Sequence, residues 1–166
     1  GQGAIHPAGG RVSTVTAYLA CYKYRPPRDA AWRVRWRYAS DWLIRVFTRS
    51  PYSHCEIAVP VRGLSGVYEC YSSFAADGGV RCKQMVLDGE HWDLLPLTLD
   101  YGRLLTLFRE TDGRRYDYIG ILRFILPFLP PAHSRWYCSE WCAAALGYDD
   151  RRQWTPGQLA EAVRNH

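Results

Sequence analysis

Two short segments that lie far apart in the sequence carry the residue types needed for nucleophilic chemistry by a thiol. The segment 136–147 contains Cys138, and the segment 53–58 contains His54. Good helix formers follow Cys138, and Gly147 stands where a left-handed residue commonly ends a helix. We therefore predict that Cys138 lies in the first turn of a helix. At that position the helix dipole favours a thiolate, and backbone N–H groups without helical partners can bind an oxyanion.

His54 stands at the entrance of an apolar run, residues 57–61, which is typical of a β-strand. An imidazole on a strand is held by a rigid element rather than by a loose loop. A thiolate–imidazole pair requires only that the two side chains meet in the folded protein. We therefore predict that Cys138 and His54 form such a pair.

A carboxylate is the expected third member of the group. Glu69 lies in the mostly apolar segment 67–71, which we predict as the strand next to the one that carries His54. An unpaired carboxylate is costly there, so Glu69 is expected to orient the imidazole or, alternatively, to pair with an arginine. Glu56 shares a strand face with His54, but neighbours along a strand rarely align a carboxylate with the ring. Glu140, in the first helical turn, more naturally complements the helix dipole.

The length and composition indicate one folded domain. The chain has 166 residues, of which 48% are apolar and 14% aromatic, and this composition excludes a disordered chain. Residues 1–11 are rich in glycine and small residues, so we predict a flexible tail there and a single domain over 12–166. The formal net charge is +5, and nearly all of the positive side chains are arginines, because Lys23 and Lys83 are the only lysines. Such a charge fits either an anionic partner or a solvated surface.

Most of the six cysteines are expected to be reduced and buried. Four of them lie in apolar runs with strand or helix character, where a free cysteine behaves as a small hydrophobic residue. The sequence contains no Cys-x-x-Cys motif, and the i,i+4 spacing of Cys138 and Cys142 is not that of a zinc finger. We therefore expect neither a metal site nor a cofactor.

The periodicity of the apolar residues indicates an α+β domain. Alternation predicts strands over residues 11–22, 54–61, 66–73, 79–85, 92–97 and 104–109. Helices are expected over 41–48 with Ser40 as N-cap, over 117–128, from Cys138 onward, and from the N-cap Thr155 to Val163. These elements predict a mostly antiparallel sheet with helices before and after it.

Residues 32–42, the Arg/Trp segment, are rich in tryptophan and arginine. Guanidinium and indole groups suit an anionic polymer or a membrane surface, although an amphipathic helix with a solvated face explains the same pattern. We expect no specific nucleic-acid partner. The sequence shows neither an export signal nor an apolar run of about 18 residues. This leaves the compartment open among the cytoplasm, release by lysis and carriage in a virion.

Taken together, these segments resemble the circularly permuted branch of the NlpC-type papain-like cysteine peptidases and amidases, which is related to the lecithin retinol acyltransferase group. The resemblance covers residues 13–163 and places histidine before cysteine in the chain. It is carried by Tyr52-Ser53-His54-Cys55-Glu56-Ile57-Ala58, Tyr68-Glu69, Tyr116-Asp117-Tyr118, Tyr137-Cys138-Ser139-Glu140 and Thr155-Pro156-Gly157. Cys55, Cys142 and the Arg/Trp insertion between Tyr24 and Ser40 depart from the family pattern.

The resemblance implies a permuted papain-like fold in which an antiparallel sheet packs against helices. It assigns Cys138 as nucleophile, His54 as general base and Glu69 as the third polar residue of a thiol hydrolase. The implied substrate is an amide bond of bacterial cell-wall peptides, cleaved by a bacterial or phage enzyme through a thioester. Two other functions fit the same residues: a thiol acyltransferase or lipid hydrolase acting at a membrane, and a binding module without turnover.

Overall fold

A five-stranded antiparallel sheet organises the part of the chain that the computed structural model describes, residues 13–117, 128, 136–148 and 152–166. The strands lie in the spatial order β4-β3-β2-β1-β5, and each neighbouring pair is antiparallel. They are β1 Thr14–Tyr22, β2 His54–Pro60, β3 Val67–Phe74, β4 Gly79–Val86 and β5 Trp92–Asp100. With the helices described next, this sheet confirms the predicted α+β class.

Five helices accompany the sheet in the described ranges. They are α1 Trp32–Arg37, α2 Ala39–Thr48, α3 Tyr101–Thr111, α4 Cys138–Leu146 and α5 Pro156–Arg164. Helix α4 packs on β2 and β3, whereas α5 packs on β1 and β5. None of the described helices combines the length and hydrophobicity needed to span a bilayer.

The sheet has one large and one small apolar face. Cys21, Cys55 and Ile57 are completely buried in the large core together with residues of α4 and α5. Ala58 and Cys70 belong to a smaller cluster, as expected from the alternation of side chains along a strand. The central strand β2 pairs with β1 on one side and with β3 on the other. His54, its first residue, lies opposite Tyr22 of β1, so a rigid element holds its backbone.

The start of α4 is held in place by a short backbone bridge. The Trp136 N–H donates to the carbonyl of Arg115 at 3.3 Å, and the Trp136 carbonyl accepts from the N–H of Asp117 at 3.1 Å. The Ser73 hydroxyl donates to the same carbonyl at 2.6 Å. These bonds tie the backbone just before Cys138 to β3 and to residues 115–117.

A close backbone contact also holds β4 in place. The Val80 N–H donates to the carbonyl of Arg114 at 2.9 Å. Gly79 has a φ of 147°, and a Cβ at this position would collide with that carbonyl. The approach therefore requires glycine, and it fixes the strand that carries Arg81.

The predicted end of α4 and the predicted start of α5 are confirmed. Gly147, with a φ of 84°, follows the last residue of α4 in the left-handed conformation. The Thr155 hydroxyl accepts from the Gln158 N–H at 3.1 Å, and the Gln158 side chain accepts from the Thr155 N–H at 3.2 Å. This reciprocal pair is a capping box, and it starts α5 where the sequence predicts.

Two secondary-structure predictions are wrong. Residues 104–109 belong to α3 rather than to a strand, because the Asp100 side chain caps the helix by accepting from the Arg103 N–H at 3.1 Å. The buried residues Leu104 and Thr111 lie seven apart on one helical face. Ser40 is not an N-cap, since α2 begins at Ala39 and its N-cap position is Tyr38, which makes no side-chain cap.

Some predictions fall on residues outside the described ranges. The predicted tail, residues 1–11, is one of them, and most of the predicted helix 117–128 is another. Within the described ranges all six cysteines are free, and Cys82 is the exposed one among them. The prediction that most of the cysteines are buried is therefore confirmed.

Candidate active site

Cys138 is the first residue of α4. Tyr137 before it is extended, and the first helical hydrogen bond runs from the Trp141 N–H to the Tyr137 carbonyl at 3.0 Å. The N–H of Cys138 therefore has no partner within the helix. The Cys138 residue is 0% exposed, so the thiol lies at the positive end of a helix and inside the core. The predicted location of this cysteine in the first helical turn is confirmed.

Strand β2 brings the imidazole of His54 to this thiol. The side chains of His54 and Cys138 are hydrogen-bonded to each other. Nε2 of His54 lies 2.9 Å from Oε1 of Glu56, which leaves Nδ1 as the ring nitrogen for the sulfur. The ring of Phe74 packs against the imidazole with 4.7 Å between ring centroids. The structure thus brings together two residues that are 84 positions apart in the sequence.

The surroundings of both side chains favour their charged forms. Burial by itself lowers the pKa of His54, but the charge and hydrogen bond of Cys138, together with Glu56, raise this pKa to about 10. Burial raises the pKa of the Cys138 thiol, yet a hydrogen bond from Cys55 and the positive charge of His54 hold it well below the ordinary value. Each charged form stabilises the other, so a thiolate–imidazolium pair is favoured at neutral pH.

Cys55 also donates hydrogen bonds to the sulfur. Cys55 contributes both its thiol and its backbone N–H to Cys138. The side chain of Tyr137, the residue before Cys138, is also fully buried. Burial, followed by the charge of Cys138, raises the pKa of Tyr137, so its hydroxyl keeps its proton. Cys55 therefore has a direct contact with Cys138.

Glu56 is the carboxylate that holds His54. Glu56 is 1% exposed. Arg81 on β4 donates two hydrogen bonds to its carboxylate, from Nη2 to Oε1 at 2.6 Å and from Nη1 to Oε2 at 2.8 Å. Nε of Arg81 also donates to Asp77 at 2.8 Å. Burial raises the pKa of Glu56, but the hydrogen bonds and charges of His54 and Arg81 lower it below its ordinary value. A line of alternating charges therefore runs from Arg81 through Glu56 and His54 to Cys138.

The structure does not bring Glu69 to His54, and the prediction of Glu69 as the residue that orients the imidazole needs correction. The register of β2 and β3 places Glu69 opposite Val59, five residues from His54 and about 17 Å along the strand. Glu69 accepts a hydrogen bond from the Tyr71 hydroxyl at 3.1 Å instead. The expectation that Glu56 does not align with the imidazole is also wrong, because His54 is the first residue of its strand and its ring reaches Glu56 on the same face.

Arg81 was missed in the sequence. The sequence does indicate that such a residue is needed, because burying a carboxylate without a cation is costly. This cost applies to Glu56 in the run 55–61 as much as to Glu69. A cationic partner in the same sheet is then required, and Arg81 is the arginine within the predicted strand 79–85, which β3 separates from β2. Its identification depends on the strand register, which the sequence alone does not provide.

Within the described ranges, no three His, Cys, Asp or Glu side chains converge as metal ligands. The arrangement of Cys138, His54 and Glu56 instead suits covalent chemistry at sulfur. Comparisons of the chain with protein families, with curated proteins and with solved structures find no match. The functional assignment below therefore depends on the geometry of the site and on the sequence resemblance.

Proposed function

We propose that the protein is a cysteine hydrolase that cleaves an amide bond through a thioester on Cys138. The observation that carries this proposal is the hydrogen-bonded group of Cys138, His54 and Glu56, in which the pKa of the thiol is lowered and that of the imidazole is raised. An ordinary buried cysteine has the opposite shift, because burial alone disfavours the thiolate. Cys21 and Cys70 in the same sheet are examples, since burial raises the pKa of both thiols.

In the proposed reaction, the Cys138 thiolate attacks the carbonyl carbon of the substrate. The negative charge that develops on the carbonyl oxygen is bound by the backbone N–H of Cys138, which has no partner in the helix. His54 then gives its proton to the leaving amine as the carbon–nitrogen bond breaks, and the acyl group remains on sulfur. Water, deprotonated by His54, attacks this thioester and releases the acid together with the regenerated thiolate.

Glu56 and Arg81 act on this reaction through His54. The Glu56 carboxylate fixes the ring so that Nδ1 points to sulfur, and its charge stabilises the imidazolium. Arg81 in turn holds the carboxylate by a bidentate contact, which defines the position of both oxygens. Both are positioning residues, because neither touches the reacting atoms.

The papain-like, circularly permuted arrangement is part of this proposal. A helix that begins with the nucleophile and packs on the strand that begins with the histidine supports it. The resemblance described above makes a peptide amide of the bacterial cell wall the leading substrate. The positive charge of the protein is compatible with an anionic envelope polymer.

A specific observation also favours a second substrate class. The three tryptophans of α1 and α2, Trp32, Trp36 and Trp42, are between 62% and 71% exposed, as expected of side chains that meet a lipid surface. A thiol acyltransferase or lipid hydrolase uses the same thioester chemistry with an ester as acyl donor. The two classes therefore differ in substrate and share the catalytic residues.

Mass spectrometry of a cell-wall digest tests the proposal directly. The wild-type protein is expected to release peptides with a new carboxyl terminus, whereas Cys138→Ala loses at least about 10⁴-fold of this activity. Cys82→Ala is the matched control, because it removes an exposed thiol outside the site, and it retains the activity. If the protein releases fatty acid from phospholipid vesicles and leaves the cell wall intact, it is a lipid hydrolase or acyltransferase instead. Absence of turnover on both substrates makes the protein a binding module.

A further inference from the structure

Helices α1 and α2 form an apolar surface outside the core. Seven of the ten exposed large hydrophobic side chains in the described part of the chain lie on these two helices. They are Trp32, Val34, Trp36, Trp42, Leu43, Val46 and Phe47. Helix α1 buries none of its residues, and α2 buries only Ile44 and Arg45. A concentration of this kind on one surface marks an interaction site rather than scattered surface residues.

The same region carries the excess charge of the protein. Residues 25–49 contain seven arginines and two aspartates, a net charge of +5, which equals the formal charge of the whole chain. The remaining 141 residues therefore have no net charge. Arg33, Arg35 and Arg37 are exposed, and within the described ranges none of them forms a salt bridge. These guanidinium groups are available to an anionic partner.

The tryptophans and arginines meet in one cleft. This cleft has a volume of about 750 Å³, and its lining includes the indoles of Trp32, Trp36 and Trp42 together with Arg28 and Arg35. Indole rings favour the boundary between hydrocarbon and water, and guanidinium groups bind phosphate. A phospholipid presents the two corresponding parts, a phosphate and the beginning of its acyl chains.

We infer that α1 and α2 form a docking surface for the anionic surface of a phospholipid bilayer. Charge complementarity argues against a second copy of the chain, because two segments of charge +5 would face each other. The aliphatic side chains of Leu43 and Val46 argue for hydrocarbon over nucleic acid, in which bases stack on aromatic rings. The inference concerns binding alone and does not require that the proposed hydrolase activity exist.

The docking surface is connected to the proposed active site. Nη2 of the buried Arg45 in α2 donates to the carbonyl of Tyr24 at 2.8 Å and to the Ser53 hydroxyl at 3.3 Å. The carboxylate of Asp41 also hydrogen-bonds to Ser53. Because Ser53 directly precedes His54, a bilayer bound to α1 and α2 would lie near the entrance of β2.

Sedimentation with lipid vesicles tests the inference. The Cys138→Ala protein is mixed with vesicles of phosphatidylcholine alone, or of phosphatidylcholine with phosphatidylglycerol, so that turnover cannot alter the lipid. Binding is expected to the anionic vesicles, with little binding to the neutral ones, and it weakens as salt is added. Equal binding to both kinds of vesicle, or to neither, overturns the inference.

Charge reversal at exposed positions identifies the surface that binds. The triple variant Arg33→Glu, Arg35→Glu, Arg37→Glu is expected to lose about 100-fold or more in vesicle affinity. The control Arg62→Glu, Arg109→Glu, Arg114→Glu changes the net charge by the same amount at exposed positions elsewhere and is expected to lose far less. An equal loss in both variants shows a general charge effect and overturns the inference.

A second pair of variants tests the apolar part of the surface. Trp32→Ala with Trp36→Ala is expected to lose about tenfold in affinity, whereas Leu64→Ala with Val86→Ala, also exposed, does not. The folding of these variants is checked by denaturation, and α1 buries no residue whose loss would unfold the protein. Binding of a single-stranded oligonucleotide without vesicle binding, or dimer formation without vesicle binding, assigns the surface to another partner and contradicts the inference.

Discussion

Arginine occupies two contrasting environments in this protein. Arg81 lies beside the proposed active site, where both oxygens of the buried Glu56 and one of Asp77 accept its hydrogen bonds. Arg33, Arg35 and Arg37 on α1 are exposed, and within the described ranges they form no salt bridge. The first environment fixes the position of a charge, and the second leaves charges available to a partner.

The contrast shows that the role of an arginine follows from the burial of its surroundings. A buried carboxylate without a cation is costly, so Arg81 is part of the structure that keeps Glu56 ionised and His54 in place. An exposed guanidinium has water as its partner and contributes little to stability. The two regions are therefore expected to respond to mutation in opposite ways, the first in catalysis and stability and the second in binding.

The largest effect within the buried region is expected from Glu56. Glu56→Gln removes the charge that stabilises the imidazolium, so the activity should fall by about 10²- to 10⁴-fold. In the wild type, His54 loses its proton as the pH rises through about 10, and activity should fall with it. Glu56→Gln lowers the pKa of His54 and moves this decline to lower pH, which a pH profile of kcat/KM measures.

Glu69→Gln is the matched control for the carboxylate. Its hydrogen bond goes to Tyr71 rather than to His54, so the activity and the position of the alkaline decline should stay near those of the wild type. If Glu69→Gln were the variant that lost activity while Glu56→Gln kept it, the assignment of Glu56 would be wrong, and the residue predicted from the sequence would be restored.

Two arginine variants compare how much the buried and the exposed region contribute to stability. Arg81→Met leaves Glu56 buried without its cation, so the free energy of unfolding should fall by about 3–5 kcal/mol. Arg35→Met, at an exposed position, should change it by about 0.5 kcal/mol or less. Urea denaturation at neutral pH measures both values. Similar small effects would show that the bidentate contact does not stabilise the protein.

The smallest effect is expected from Cys55, whose thiol donates a hydrogen bond to Cys138. Cys55→Ala removes this donor and should raise the pKa of Cys138, with a loss of about tenfold in activity at mildly acidic pH. Cys55→Ser keeps a donor at the same position and should retain more of the activity. Equal activity of both variants would mean that the Cys55 backbone N–H alone stabilises the thiolate.

The sequence predicts the local features of the site well. The placement of Cys138 follows from the helix formers after it and from Gly147 at the end of the helix, and the placement of His54 follows from the apolar run after it. Both signals are local in the sequence, and in both cases the structure agrees with them. The capping box at Thr155 is of the same kind, because it needs residues only three positions apart.

The features that depend on register could not be predicted. Glu56 and Glu69 both lie in apolar strands, and the cost of burial applies to each of them. Only the pairing of β2 with β3 shows that Glu69 lies opposite Val59, far from His54. Arg81 is found for the same reason only after β4 is placed beside β3. The prediction of a strand at 104–109 is wrong for a different reason: the Asp100 side chain caps a helix that contains these residues.

The most direct test of the central claim is the ionisation of Cys138. The ultraviolet absorbance of thiolate is measured across a range of pH for the wild type and for Cys138→Ala, and the difference isolates this residue from the other five cysteines. The wild type is expected to show a thiolate that persists far below pH 9.0, the pKa of an unperturbed cysteine. A difference signal that appears only near pH 9.0 or above would contradict the thiolate–imidazolium pair and with it the proposed chemistry.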